Sequence, residues 1–246
     1  MKRLLFLLLL ITLPANAAEN LVSGISQDLI QITSNYSGSD IVVFGDVEDQ
    51  LQASGRDIIV VVRGPDTPIT VRRRDRVAGV WINHDAAALS GMPAYYYLAS
   101  TNPLARIASP ETMARYGIGV ASLRPSRVQA HHDSEPFHQA ALRLMQDQGL
   151  YREVPKGVEF LSTTLFRAHV PMPAGVARGA YEVEVFLVRD GAIVSAQSTP
   201  LYIDQTGIER RLSNWAHDQP FGYGLAAVVM ALISGWLSSV IFRRPA

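Results

Sequence analysis

The chain has 246 residues, and its 22 basic and 22 acidic residues give a net charge of zero. It contains no cysteine, which excludes disulfides, a thiol nucleophile, a thiolate metal site and a cysteine-linked lipid anchor. The segment from Glu19 to Pro220 contains 22 acidic residues, 17 arginines and one lysine, so its net charge is −4. A protein that binds nucleic acid usually has a basic surface, and this composition does not indicate one.

A secretion signal is predicted at the N-terminus. Two basic residues precede an apolar run over residues 4–13, and Ala15 and Ala17 form a small-x-small cleavage site. The run is too short to cross the bilayer as a helix, which takes roughly 20 residues. We therefore expect residues 1–17 to be a signal peptide that is removed on export. The alternative is an uncleaved anchor.

Residues 18–101 are predicted to form the first part of a β-sandwich. Short apolar runs, such as residues 41–44, 58–62 and 95–98, are separated by turn residues. Strands at roughly ten-residue spacing favour an antiparallel sandwich. Trp81 is expected to be a core aromatic of this sheet.

Residues 102–150 are predicted to be a helical insertion. Ser109 and Pro110 are an N-cap and a first-turn proline, and a second helix is expected to start at Ser134 and to end at Gly149.

Strands then resume over residues 151–204, the second part of the sandwich. Here Tyr181, Val183 and Val185 alternate with acidic residues, which is typical of a half-buried strand, and Asp190-Gly191 predicts a tight hairpin. The predicted fold class is mainly β, an immunoglobulin-like antiparallel β-sandwich with a helical insertion. Two small β units joined by helices are the alternative.

The C-terminal region is predicted to hold a membrane anchor. Residues 205–220 form an amphipathic juxtamembrane helix, lying either on the outer leaflet or against the chain's own domain. Residues 221–242 are uncharged and long enough to cross a bilayer. The arginines of the tail, residues 243–246, place it in the cytoplasm by the positive-inside rule, with the preceding domain outside.

One face of the predicted membrane helix carries small residues at every fourth position. Such a stripe lets another helix approach closely. The partner is either a second copy of the chain or a different integral membrane protein, and the sequence leaves both open. The stripe consists of Ala227, Ala231, Gly235 and Ser239.

The densest charge cluster of the chain consists of Arg72, Arg73, Arg74 and Arg76. Guanidinium groups could bind a small anion, lipid headgroups or the acidic side chains of a partner. The alternative is a solvated hairpin turn beside Asp75.

A weaker hypothesis concerns His131, His132 and His138, which could ligate zinc or copper. The alternative is that these histidines are solvated in a polar linker and at a helix start. No cofactor is predicted. The catalytic motifs of serine hydrolases, metalloproteases and phosphate-binding loops are absent, so we do not expect an enzyme. A dispersed catalytic site is the remaining enzymatic alternative.

Three segments together resemble a known family. They are VVVRGP at residues 60–65, VRRRDRVAGVWIN at residues 71–83 and QPFGYGLAAVVMALISGWLSSVIFRR at residues 219–244. In these three segments the chain resembles the uncharacterised transmembrane protein family of Alphaproteobacteria, the Alph_Pro_TM type. A lysine is usual near Arg74 in that family, so this chain departs from the family pattern there. The resemblance implies a Gram-negative inner membrane and a periplasmic domain, and it transfers no catalytic residue.

The residues and the resemblance together predict a non-enzymatic, single-pass inner-membrane protein. Its periplasmic sandwich would act as an accessory or interaction module for an integral membrane protein, such as a transporter. The alternatives are a periplasmic sensor that binds a small anion and an enzyme with a dispersed site.

Overall fold

The computed structural model describes residues 21–33, 36–47, 55–77, 79–130, 133–205, 216–217 and 219–241. The predicted signal peptide, His131, His132, most of the predicted juxtamembrane helix and the predicted cytoplasmic tail lie outside these ranges.

The described residues form strands and helices with the following bounds. The strands are β1 (Leu21–Ile25), β2 (Leu29–Ile32), β3 (Gly38–Val47), β4 (Arg56–Arg63), β5 (Asp66–Val77), β6 (Val80–Pro93), β7 (Tyr96–Ser100), β8 (Arg127–Ala130), β9 (Tyr151–Pro155), β10 (Val158–Phe160), β11 (Leu165–Pro173), β12 (Gly179–Arg189) and β13 (Ala192–Gln205). The helices are α1 (Leu104–Ile107), α2 (Pro110–Arg115), a 3₁₀ turn (Val120–Ser122), α3 (Glu135–Asp147) and α4 (Pro220–Ile241).

The strands are arranged in three sheets within the described ranges. A front sheet has the order β1-β3-β11-β10, a central sheet has the order β2-β13-β12-β4-β7-β9, and a smaller sheet has the order β5-β6-β8. Neighbours are antiparallel except for β2 with β13 and β7 with β9, which are parallel pairs at the two edges of the central sheet. Since the central sheet takes strands from both predicted halves, the described β strands form one sandwich rather than two separate units.

The central sheet is buried on both faces, and strand β4 displays this best. Ile58, Val60 and Val62 belong to the core shared with the front sheet, whereas Ile59 and Val61 belong to a second core on the other face. Side chains alternate between the faces of a strand, so a strand covered on both sides must be apolar throughout. The continuous β-branched run of the sequence is therefore explained by its position in the middle layer.

The second core is closed by the inserted helices and by the smaller sheet. Phe137 and Leu142 of α3 pack there with Leu89 and Met92 of β6 against the central sheet. The predicted fold class is confirmed: the chain is mainly β, with packed sheets, a few helices between them in sequence and one apolar C-terminal helix. The inserted segment also contains a strand, β8, which pairs with β6.

The helix termini partly follow the sequence signals. Ser109 caps α2, because its Oγ accepts a hydrogen bond from the Thr112 amide at 3.2 Å. Ser134 precedes α3 but makes no side-chain cap bond. The Asp133 carboxylate accepts a hydrogen bond from the Glu135 amide at 3.1 Å instead. Asp190 and Gly191 both have positive φ and form the predicted hairpin between β12 and β13.

Buried tyrosines connect the central sheet to the front sheet. The hydroxyl of Tyr95 donates to the Pro171 carbonyl, and that of Tyr97 donates to the His169 carbonyl at 2.9 Å. Strand β10 pairs with β11 only at residues 166–168, whereas β3 pairs with all of β11, so beyond residue 168 the β11 carbonyls on the β10 side need another donor. Burial raises the pKa of Tyr95 and of Tyr97 above the ordinary value.

The expectation that Trp81 is a core aromatic was wrong. Its side chain is 66% exposed. Strand β8 pairs with β6 only at residues 87–90, so β5 and β6 continue past the rest of the sheet as a two-stranded ribbon. Trp81 lies in that ribbon, and none of the described residues forms a second layer over it.

Candidate interaction site

The four arginines are exposed, as the solvated-turn alternative expects, but they lie on a strand and not in the turn itself. They occupy the second half of β5, and Gly79 lies in a turn directly before β6. We call residues 72–86 the arginine hairpin. It holds Arg72, Arg73, Arg74 and Arg76, all of which are exposed.

The register of the arginine hairpin brings cationic and aromatic side chains together. Arg76 is opposite Trp81, and Arg74 is two residues before Arg76 on the same strand. Residues opposite each other share a face, as do residues two apart, so Arg74, Arg76 and Trp81 lie on one face. The Nε of Arg76 donates to the Gly79 carbonyl at 3.3 Å, which orients this arginine along the turn.

The opposite face of the same tip also carries large apolar side chains, beside Asp75, which is opposite Ile82. Val80 is 63% exposed and Ile82 is 42% exposed, and both alternate with Trp81 along β6. A two-stranded ribbon is marginally stable in water on its own. Three large apolar side chains at the end of such a ribbon, in water, indicate a surface that is covered by something else.

The arginines also have a structural role, since β5 is an edge strand of the smaller sheet. Its register shifts at Pro68 and again between Arg73 and Arg74. Proline, bulges and charged side chains are the features by which proteins prevent an exposed edge from pairing with another chain. Edge protection accounts for the arginines of β5, but it gives no reason for the apolar tip.

The C-terminal helix α4 is the second candidate surface. Its 22 residues carry no charge, and the segment Pro220–Ser238 is long and apolar enough to cross a membrane. No part of that segment is buried against the described residues. Ala227, Ala231 and Gly235 of the predicted stripe are exposed, while the side chain of Ser239 lies outside the description.

The predicted histidine cluster is only partly described. His138 is not solvated, contrary to the alternative interpretation of the sequence. It is 3% exposed, and its Nε2 is 3.0 Å from the Leu123 carbonyl oxygen, so the ring helps to fasten α3 to the preceding loop. Among the described residues no three His, Asp or Glu side chains are placed to hold a metal ion. Metal binding by His131, His132 and His138 stays a prediction.

A polar cleft of about 540 Å³ lies near the end of β4, lined in part by Arg63, Asp66, Arg124 and Glu182. None of the arginines of the arginine hairpin lines it. The sequence did not predict this cleft. Its residues come from β4, β5, β12 and the loop after α2, so no local pattern in the sequence indicates that they lie together.

The guanidinium group of Arg63 in this cleft makes an ion pair, a hydrogen bond and a ring contact within the chain itself. Its Nε donates to the Glu184 carboxylate at 2.8 Å, a terminal nitrogen donates to the Gly117 carbonyl at 2.7 Å, and its guanidinium carbon is 5.5 Å from the centre of the Tyr96 ring. These contacts join the central sheet to the loop after α2. We therefore interpret Arg63 as a structural clamp rather than a ligand-binding group.

The comparisons with known proteins give a family and a distant structural similarity. The family model described as "Putative transmembrane protein (Alph_Pro_TM)" matches residues 20–244. No curated protein matches the chain. Among solved structures, AggA, the major subunit of aggregative adherence fimbriae type I of Escherichia coli, is similar with 10% identity over 76% of this chain and 94% of that chain, at a TM-score of 0.25. A TM-score this low supports no conclusion about function.

Proposed function

We propose the following function for this chain, which belongs to the family described as "Putative transmembrane protein (Alph_Pro_TM)". In this proposal α4 crosses the inner membrane once, and the β-sandwich lies in the periplasm. The sandwich is a non-enzymatic accessory module for an integral membrane protein, such as a transporter, which α4 contacts within the bilayer.

The observation that carries this proposal is the uncovered apolar surface of α4. Twenty-two residues at 1.5 Å per residue give a length of about 33 Å, which matches a hydrocarbon core about 30 Å thick. A helix that is apolar on all sides is stable only in a protein core or in lipid. The described part of the sandwich does not bury it, so lipid and other membrane helices are the surroundings that suit it.

The orientation can be tested with single cysteines, because the chain has none of its own. We expect Ala196→Cys, at an exposed position of β13, to react with a membrane-impermeant maleimide in spheroplasts. Ala246→Cys should react only after the membrane is lysed. The opposite pattern, or reaction of both in intact spheroplasts, would contradict a periplasmic sandwich.

The contact of α4 with another membrane helix can be tested at Gly235. Apart from its own stretch of helix, a Cβ at this position would meet none of the described residues within 4 Å, so a large side chain there has room within the described part of the chain. We expect Gly235→Ile to reduce recovery of crosslinked membrane proteins in mild detergent by about tenfold, an interface cost of 1–2 kcal/mol. Ala226→Ile, nine residues away and therefore on the opposite face of the helix, is the matched control and should leave recovery unchanged. Equal recovery with both variants would argue against the interface.

The geometry favours a contact surface over the sensor of small anions. Binding pockets for small ligands are concave, with polar groups that converge on one point. The four arginines instead follow an exposed strand, at alternating faces of a ribbon.

A further inference from the structure

A second contact with the membrane follows from the arginine hairpin. We propose that its tip inserts into the headgroup layer of the bilayer that holds α4, and that Arg74 and Arg76 bind the phosphates of anionic lipids there. The inference rests on the proposed membrane location of α4.

The side chains at the tip of the hairpin fit within the depth of the headgroup layer. Val80, Trp81 and Ile82 come directly after the turn, and Arg76 lies opposite Trp81. Arg74 lies two residues further back, about 7 Å along the ribbon. The polar layer on each side of a bilayer is about 5–7 Å thick. When Trp81 and Arg76, which are level with each other, lie at its inner boundary, Arg74 lies near its outer edge. Asp75 and Ile82 lie between these two levels.

The chemistry of the side chains suits that layer. Tryptophan concentrates at membrane interfaces because its ring is apolar and its N–H is a donor. The planar guanidinium of arginine binds phosphate oxygens in pairs. The exported part of the chain has a net charge of −4, so it is the local cluster and not the overall charge that favours an anionic surface.

Lipid explains the tip better than a protein partner does. The large apolar side chains lie on both faces of the ribbon, Trp81 on one and Val80 with Ile82 on the other. A protein that docks on one face leaves the other in water. Insertion into a layer surrounds both faces at once.

The chain is long enough for both contacts. Strand β13 ends at Gln205 and α4 begins at Pro220, and the connection between them can reach at most about 50 Å when extended. A compact domain of this size is about 40 Å across. The connection therefore allows the tip to face the same bilayer in which α4 is embedded.

Tryptophan fluorescence of the full chain in nanodiscs tests the proposal. In the variant Trp215→Phe/Trp236→Phe, Trp81 remains as the one tryptophan. We expect a spin label on the lipid headgroup to quench Trp81 in discs that contain phosphatidylglycerol. Removing the phosphatidylglycerol, or introducing Arg74→Gln/Arg76→Gln, should shift the equilibrium away from the inserted state by about fivefold per arginine.

The control removes the same charge elsewhere. Arg106→Gln/Arg115→Gln replaces two exposed arginines outside the hairpin and should leave the quenching unchanged. Absence of quenching in every disc would overturn the proposal, and so would quenching that stays as strong in neutral discs, or in the Arg74→Gln/Arg76→Gln variant, as it is with Arg74 and Arg76 in place in discs with phosphatidylglycerol. If Trp81 is quenched only after a membrane extract is added to the discs, the tip binds a protein and the proposal is wrong.

A companion variant separates this inference from the proposed function. Trp81→Phe/Trp215→Phe keeps Trp236, which lies in α4. A spin label within the acyl chains should quench Trp236 whether or not the hairpin binds lipid. Quenching of Trp236 without quenching of Trp81 would refute the hairpin contact alone, whereas loss of both would refute the membrane location of α4 as well.

Discussion

Strands β4 and β5 are consecutive in the chain and differ in almost every physical respect. Residues 58–62 of β4 are fully buried, between the front sheet on one side and the helices on the other. The second half of β5 carries four arginines, and all four of these side chains are exposed. The comparison teaches that the sandwich derives its stability from the middle layer, while the ribbon beyond Val71 is available for contacts outside the domain.

The largest effect is expected when one isoleucine of the middle layer is compared with one isoleucine of the arginine hairpin. Ile58→Ala, in the core between the sheets, should lower the free energy of unfolding by about 2–5 kcal/mol, because it opens a cavity in a packed interior. Ile82→Ala, in the arginine hairpin, should change it by no more than about 0.5 kcal/mol. Urea unfolding of the full chain in detergent measures both. Similar losses would mean that the hairpin tip is packed against the domain.

The second-largest effect is expected from alkaline pH, which should destabilise the middle layer. Burial raises the pKa of Tyr95, Tyr96, Tyr151 and Tyr181 far above the ordinary value near 10. Because the folded pKa is raised, the stability that these groups contribute is complete below pH 10 and decreases as the pH rises above that value. We expect the melting temperature to fall steeply above pH 10, with tyrosine ionisation and loss of near-UV circular dichroism occurring together. Full tyrosine ionisation in a folded chain would contradict this burial.

A single hydroxyl between the two sheets should have a smaller effect. Tyr95→Phe leaves the Pro171 carbonyl without its donor and should cost about 1–3 kcal/mol in a urea melt. Tyr202→Phe is the matched control, because this tyrosine is half-exposed on the outer face of β13, and its effect should be near zero. An equally small cost for both variants would show that water replaces the lost donor.

The smallest effect on folding is expected at the edge of β5. Arg72→Val/Arg74→Val should leave the unfolding free energy within about 0.5 kcal/mol. Without these charges, however, the edge can pair with another chain, so light scattering should detect larger species. Arg72→Lys/Arg74→Lys keeps the charges and should scatter like the natural protein. Absence of association in the valine variant would argue that Pro68 and the bulges alone protect the edge.

Residues with a strong local pattern could be interpreted correctly from the sequence. The Asp190-Gly191 turn, the alternating strand around Val183 and the cap at Ser109 are all present. Each depends on neighbours within a few residues, namely a positive φ, a two-residue period or one hydrogen bond to a nearby amide. The long uncharged run of α4 belongs to the same class, because its length and composition are properties of the segment itself.

Burial of single side chains could not be predicted in this way. Trp81 was expected in the core and is exposed, while His138 was expected in solvent and is buried. Both errors have the same origin, since burial depends on which distant strand or loop covers a residue. For Trp81 the described pairing of β8 with β6 reaches no further than Ala87, and for His138 the carbonyl of Leu123 lies within hydrogen-bond distance of the ring.

The sequence alone determined the mainly β character, the inserted helices and the apolar C-terminal helix, because periodicity and hydrophobic length act within short segments. The tertiary structure decided that β4 is a middle-layer strand, that buried tyrosine hydroxyls link two sheets and that the arginines follow the edge of a protruding ribbon. These features depend on pairing between residues far apart in the chain, where the closing of long loops and the packing of faces select one arrangement from many.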